Sequence, residues 1–163
     1  MVVLGIDPGT ATTGFGLVRE SNDRLSALDY GVITTPAGLD MPSRLKLLFR
    51  ELGDLLLRHR PESAAVEKLF FRANVATAMT VGQARGVALL ALAEAGVSVA
   101  EYAPNEVKQA VVGYGAAGKR QVQSMIQIVL SLPELPRPDD AADALAIAIC
   151  HLHSARLKQI IEG

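Results

Sequence analysis

The segment RPDDAADALAIAICHLH, residues 137–153, puts three aspartates, Asp139, Asp140 and Asp143, at the head of an apolar, alanine-rich helix. Asp139 reads as the helix cap. Asp140 and Asp143 are three residues apart and share a helix face. Ala142, Ala144, Leu145 and Ile147 surround Asp143, and a lone buried carboxylate is costly unless it is paired or ligating. Two more acids stand beside buried runs: Asp7 ends the apolar run VVLGI, and Glu67 lies within AAVEKLF. Each acid also has an ordinary reading. Asp7 suits the turn Asp-Pro-Gly, Glu67 a solvent-facing position on an edge strand, and Asp140 a first helical turn favoured by the dipole. Their joint pattern says more. The end of the first strand, the fourth strand and the start of the last helix can meet at one point. Four carboxylates there would repel one another and raise their own pKa values unless cations filled the gap. Hard oxygen ligands suit Mg²⁺ or Mn²⁺. Two such ions ~3.5–4 Å apart would clamp the attacking and leaving oxygens of a phosphodiester.

The elements that must carry these acids are legible from periodicity. Residues 2–6, 13–19 and 25–35 read as strands, with SNDR at 21–24 as a hairpin turn. A helix begins at Pro42, with Leu45, Leu48, Phe49, Leu52, Leu55 and Leu56 at helical spacing, and ends near Arg60-Pro61. Residues 64–70 make a fourth strand, 74–95 a long helix closed by Gly96, and 97–102 a fifth strand. Helices follow at about 105–112, 119–132 and 139–158. Three sequential strands, then strands separated by helices, give an α/β fold with a five-stranded mixed sheet flanked by helices. Its early pairs are antiparallel and its later ones parallel, joined by right-handed crossovers. That order matches the ribonuclease H-like fold.

Composition narrows the class. The chain has 163 residues, half of them apolar, which points to one domain with a real core over 1–163. Its net charge of −1 is not that of a general nucleic-acid coat protein, so any nucleic-acid site must be a local basic surface. A single cysteine, Cys150, fits a reducing compartment. The start MVVLGI runs straight into a turn and carries no signal peptide, and the apolar stretches stop short of the ~20 residues of a membrane span. The expectation is a cytoplasmic protein with no membrane partner.

The motifs GIDPGTATTGFG (5–16), PSRLKLL (42–48), AVEKLFF (65–71), GQARGVA (82–88), VKQAVVGYG (107–115) and DAADALAIAICH (140–151) resemble, in order and spacing, those of the RuvC Holliday-junction resolvases. The resemblance spans nearly the whole chain. It implies a homodimeric, divalent-metal endonuclease that cuts four-way DNA junctions in strands of like polarity, leaving 5′-phosphate and 3′-hydroxyl ends. It also implies work alongside the RuvA and RuvB branch-migration proteins. The family's catalytic and metal-binding tetrad falls on Asp7, Glu67, Asp140 and Asp143, and the DAAD spacing selects Asp140 over Asp139. Some members carry His where Asp140 stands.

DNA contacts follow partly from the same resemblance. It places Phe70 on a base near the crossover, where an aromatic platform is worth ~1–3 kcal/mol, and puts Asn74 at a contact position. Phe70 and Phe71 in succession on a strand would point to opposite faces, so either ring can be the outward one. The family often has a basic residue just before that Asn; here Ala73 fills the slot and Arg72 comes one earlier. From Lys68 to Arg120 six basic residues face three acids besides Glu67, a local basic excess. Within it, Lys108 and Lys119 match phosphate-binding family positions, and Arg120 adjoins Lys119.

Other signals point elsewhere. GYGAAGKR (113–120) imitates a nucleotide loop, but helical VKQAVV stands where a strand is needed. CHLH (150–153) imitates a metal motif, but His151 lies ~16 Å along the helix from Asp140. GIDPGTATTGFGLV also resembles the phosphate loop of actin- and hexokinase-type ATPases and kinases, which need a second such domain. A non-cutting junction-binding module is a third reading, opposed by intact acids at all four positions. Finally, helix 74–95 carries Val75, Met79, Val87, Leu89, Leu90 and Leu92 on more than one face, with Gly82 and Gly86 a turn apart. That surplus suits a dimer interface; a position sandwiched between the sheet and the last helix would also absorb it.

Overall fold

The computed structural model describes residues 1–69 and 74–163. Strands β1 (Val2–Asp7), β2 (Thr12–Ser21) and β3 (Arg24–Thr34) precede helix α1 (Met41–His59). Strand β4 (Ser63–Glu67), helix α2 (Val75–Glu94), strand β5 (Ser98–Tyr102) and helices α3 (Pro104–Val112), α4 (Lys119–Val129) and α5 (Asp139–Glu162) complete the order. The sheet runs β3-β2-β1-β4-β5. The β1–β2 and β2–β3 pairs are antiparallel, and β1–β4 and β4–β5 are parallel. This is the mixed α/β sheet that the periodicity predicts.

Local chemistry explains the boundaries. Asn22 and Asp23 take left-handed φ of 51° and 61°, the twist that a two-residue hairpin turn demands and that Asn and Asp tolerate. The Asp40 side chain accepts from the Ser43 amide and caps α1, which ends at left-handed Arg60 just before Pro61. Helix α4 stops at Val129, three residues short of the expected end. Left-handed Ser131 (φ 53°) turns the chain, and the Leu132 amide then donates to the Gln127 carbonyl at 2.9 Å. Leu130 and Leu132 thus keep an apolar rhythm beyond the helix. Strand β4 ends at Glu67 rather than running to residue 70, and the Lys68 amide still donates to the Tyr102 carbonyl at 2.8 Å.

Alternation splits the core in two. Val3, Val18 and Ala65 face α5, with α3 and α4 beside it; Leu4, Ile6, Leu17, Ala64 and Val66 face α1 and α2. Helix α2 is therefore not sandwiched between the sheet and α5. It lies on the opposite face, packed on α1, with Ala84, Ala88, Ala91 and Leu92 buried in the core that α1, α2 and the sheet share. Among the described residues, α2 is also the one helix long and apolar enough to cross a membrane by length and composition, where the sequence reading expected none. Buried alanines, Ala84, Ala88 and Ala91, raise its apolar content without adding bulk. Val75, Met79 and Leu90 remain exposed on it.

Candidate active site

Strand register brings the first two acids together. In the parallel β1–β4 pair Ile6 lies opposite Val66, so Asp7 and Glu67 end adjacent strands. Side chains alternate along a strand; with Val3 and Ala65 beneath α5, Asp7 and Glu67 share that face. Strand β4 lies between β1 and β5, so Glu67 is not on a sheet edge.

Glycines bring in the other two. Gly5 pairs with Gly16 across the β1–β2 ladder, and Asp7 with Gly14. A Cβ at Gly5 would collide with the Ala144 carbonyl, at Gly14 with the Asp140 carbonyl, and at Gly16 with the Leu145 backbone. The three bare positions form a flat bed, and the small residues Ala141, Ala144 and Ala148 let α5 settle on it. The head of α5 thereby lands beside the end of β1. A ligand oxygen from each of Asp7, Asp140 and Asp143 can lie within 4.8 Å of the others. Glu67 sits to one side, lining a cavity of about 250 Å³ with Asp143, Lys108, Lys119 and Val107.

The electrostatics follow from this crowding. Asp7 is pushed up to about 8 from its usual 3.8, first by burial, then by the charges of Asp143, Asp140 and Glu67. Burial and Asp143 raise Glu67, with Lys108 pulling the other way. Burial raises Asp143 too, opposed by Lys119. Such a group gains from a cation at its centre, and its all-oxygen donor set fits a hard divalent ion.

Asp139 has a different job from the one its position suggests. Pro138 occupies the N-cap, and Asp139 is the first helical residue with no capping bond. Its carboxylate accepts from Gln123 Nε2 at 3.0 Å and pairs with Lys119 Nζ at 3.1 Å. Lys119, at the head of α4, is also 3.8 Å from Asp143. The hydrogen bond that Lys119 donates to Asp139, and the nearby acids, raise the Lys119 pKa.

The other expected contact residues divide. Lys108 lines the cavity from α3, while Arg120 is exposed at the start of α4 and is not among its lining residues. Asn74 caps α2, its side-chain oxygen accepting from the Ala76 amide at 3.0 Å. Phe70, Phe71 and Arg72 lie outside the described residues. The glycine loop of GYGAAGKR joins α3 to α4, so a helix precedes it, with left-handed Gly113 (φ 98°) as the cap. In CHLH, His153 Nδ1 is 3.1 Å from the Ala110 carbonyl and His151 lies between Ser63 and Tyr102.

Three threonines escaped the sequence reading. Thr13 Oγ1 donates to the Gly9 carbonyl at 2.6 Å and accepts from the Gly9 amide at 3.2 Å. Thr10 Oγ1 donates to the Thr80 carbonyl of α2 at 2.8 Å. Thr35 Oγ1 donates to the Thr10 carbonyl at 2.6 Å and accepts from Arg44 Nε at 2.9 Å. All three are buried and fix the loop that leaves Asp7. The run of threonines after Asp-Pro-Gly was the available signal.

Comparison with known proteins decides the family. The model of crossover junction endodeoxyribonuclease RuvC matches residues 3–151. The chain belongs to the RuvC family. Crossover junction endodeoxyribonuclease RuvC of Syntrophomonas wolfei is 60% identical over 163 residues, covering 100% of this chain and 95% of that protein. Its counterpart in Chloroflexus aurantiacus is 61% identical over 155 residues, covering 95% and 94%. A structure of Thermus thermophilus RuvC in complex with Holliday junction substrate superposes with a TM-score of 0.92. It is 41% identical, covering 97% of this chain and 96% of that one. With RuvC structures as its neighbours, the fold is ribonuclease H-like.

Proposed function

We propose that the chain is a structure-selective endonuclease that resolves four-way DNA junctions by hydrolysing one phosphodiester in each of two strands. The observation that carries this reading is the convergence of Asp7, Asp140 and Asp143 at one point in a chain of the RuvC family. Asp7, Glu67, Asp140 and Asp143 would hold divalent cations, Mg²⁺ or Mn²⁺ and two per site. Bound there, such ions activate water and neutralise charge on the phosphoryl oxygens. The residues do the rest. β1, β4 and α5 hold the acids on rigid elements, so the donor set is organised before substrate arrives. Lys108 and Lys119, on the rim beside Glu67 and Asp143, attract the scissile phosphate and offset the negative charge of the acids. Arg120 extends that basic rim, and Asn74, Phe70, Phe71 and Arg72 belong to the segments flanking β4 that would meet the crossover. Water attacks phosphorus and the bond to the 3′ oxygen breaks, giving a 5′-phosphate and a 3′-hydroxyl. The enzyme acts as a homodimer in the cytoplasm, on junctions delivered by the RuvA and RuvB proteins.

The test is purified protein with a synthetic mobile junction, with and without Mg²⁺ or Mn²⁺, products sized on a denaturing gel. Paired nicks near the crossover that need the cation are expected. Cutting of linear duplex at the same rate, or no cutting with either ion, refutes the reading.

A further inference from the structure

Two turns beyond Asp143 on α5, one imidazole joins three elements. His151 Nδ1 is 2.8 Å from the Tyr102 hydroxyl on β5, and His151 Nε2 is 3.0 Å from Ser63 Oγ on β4. Ser63 is buried, and Tyr102 and His151 are half-buried. Hydroxyls donate or accept, so a neutral ring with one donor and one acceptor nitrogen satisfies both partners. Burial and the charge of Lys158 lower the pKa of His151, which favours that neutral form.

The partners occupy telling positions. Ser63 is the first residue of β4 and Glu67 is the last. Tyr102 is the cross-strand partner of Glu67, and its carbonyl accepts from the Lys68 amide at 2.8 Å. Strand β4 is thus fastened near both ends to one Tyr–His pair. His151 lies on the helix that carries Asp143, ~12 Å further along its axis. Between them the β4–α5 interface is apolar, with Ala65 and Ala146 in one buried cluster. Apolar contact is non-directional, whereas a hydrogen bond fixes direction as well as distance. The charge of Asp143 meanwhile raises the cost of ionising Glu67, a repulsion between the strand end and the helix.

We infer that the Tyr102–His151–Ser63 chain is a positioning device that fixes Glu67 of β4 against Asp143 of α5, so that its loss weakens divalent-cation binding through Glu67. The inference rests on the proposed carboxylate site. None of the three residues touches the reacting atoms; they act through the strand and the helix, as supporting groups around metal ligands do.

The test measures Mn²⁺ binding by calorimetry to metal-free, DNA-free protein. It compares the unmodified protein, Tyr102→Phe, Glu67→Gln and the double variant, each checked for folding by its melting temperature. Tyr102→Phe keeps the ring and loses only the hydroxyl. Binding roughly 10-fold weaker is expected for Tyr102→Phe in the otherwise unmodified protein, with no further loss when it is added to Glu67→Gln. Ser63→Ala, which breaks the other end of the chain, is expected to reproduce the Tyr102→Phe result. A merely structural role would weaken binding equally in both backgrounds. That outcome, or unchanged binding in Tyr102→Phe while Glu67→Gln weakens it, overturns the inference and leaves the carboxylate site standing. Unchanged binding in Glu67→Gln removes Glu67 from the site and the inference with it.

Discussion

At the residue scale the carboxylates carry two predictions. Asp7→Asn, Glu67→Gln, Asp140→Asn and Asp143→Asn each keep shape and remove one carboxylate charge from the proposed site. Each is expected to reduce nicking by at least about 100-fold, the order seen when groups bound to or beside a metal are changed, while junction affinity, set by phosphate contacts, persists. Gel-shift and nicking assays on the same preparations separate the two effects; near-normal cutting by any one variant excludes that residue. The second prediction concerns pH. Asp7 titrates at about 8 in the fold against an ordinary 3.8, so the folded state holds a proton that the unfolded chain has released. Its stabilising contribution is full below the lower value and is lost as pH rises through the upper one. Metal-free protein is therefore expected to melt lower at about pH 8 than at about pH 5. Asp7→Asn, uncharged throughout, flattens this slope and melts higher at the alkaline end. Calorimetry in chelator checks it, and a slope as steep in the variant as in the parent contradicts it. These four acids were visible in the sequence because each disturbs an apolar pattern. Asp139 was misread because a cap and a lysine partner look alike in one dimension. Its partners Lys119 and Gln123 become neighbours only when α4 folds against α5. Thr10, Thr13 and Thr35 were overlooked because a buried hydroxyl in a loop or at a strand end leaves no periodic trace.

At the scale of elements, order and types followed from periodicity, the ends of β4 and α4 did not, and docking did not. The sequence shows an alanine-rich helix and a glycine-spaced hairpin, yet only the fold shows that one is the bed of the other. This makes Gly14 a sharper test of the site than any apolar core residue. A methyl there would enter the Asp140 carbonyl, so the head of α5 must lift. Gly14→Ala is expected to cost ~1–3 kcal/mol, the usual range for overpacking, or several degrees of melting temperature at this chain length. Because the shift falls at Asp140, Mn²⁺ affinity should drop as well. Gly53→Ala, where a Cβ meets nothing, is the control on helix α1 and should lose neither. Retained cation affinity in Gly14→Ala would show that the carboxylates do not depend on how α5 seats.

At the scale of the whole molecule the question is what covers α2. One face packs on α1, and Val75, Met79 and Leu90 are left in solvent, as a contiguous partner-seeking surface would be. A four-way junction must be cut twice to be resolved, and two like sites related by a two-fold axis accomplish that with one kind of chain. Gly86 on this helix separates assembly from folding. A Cβ at Gly86 meets nothing within 4 Å in its own chain, so Gly86→Leu has room in the monomer and gains helix propensity besides. If a second α2 approaches here, the leucine blocks it. The variant is expected to keep the parent's circular dichroism, to move toward monomer in light scattering at micromolar concentration, and to nick one strand without its partner. An unmodified protein that scatters as a monomer yet cuts both strands together would remove the need for a dimer. A dimeric Gly86→Leu with coupled nicks would place the interface on another surface.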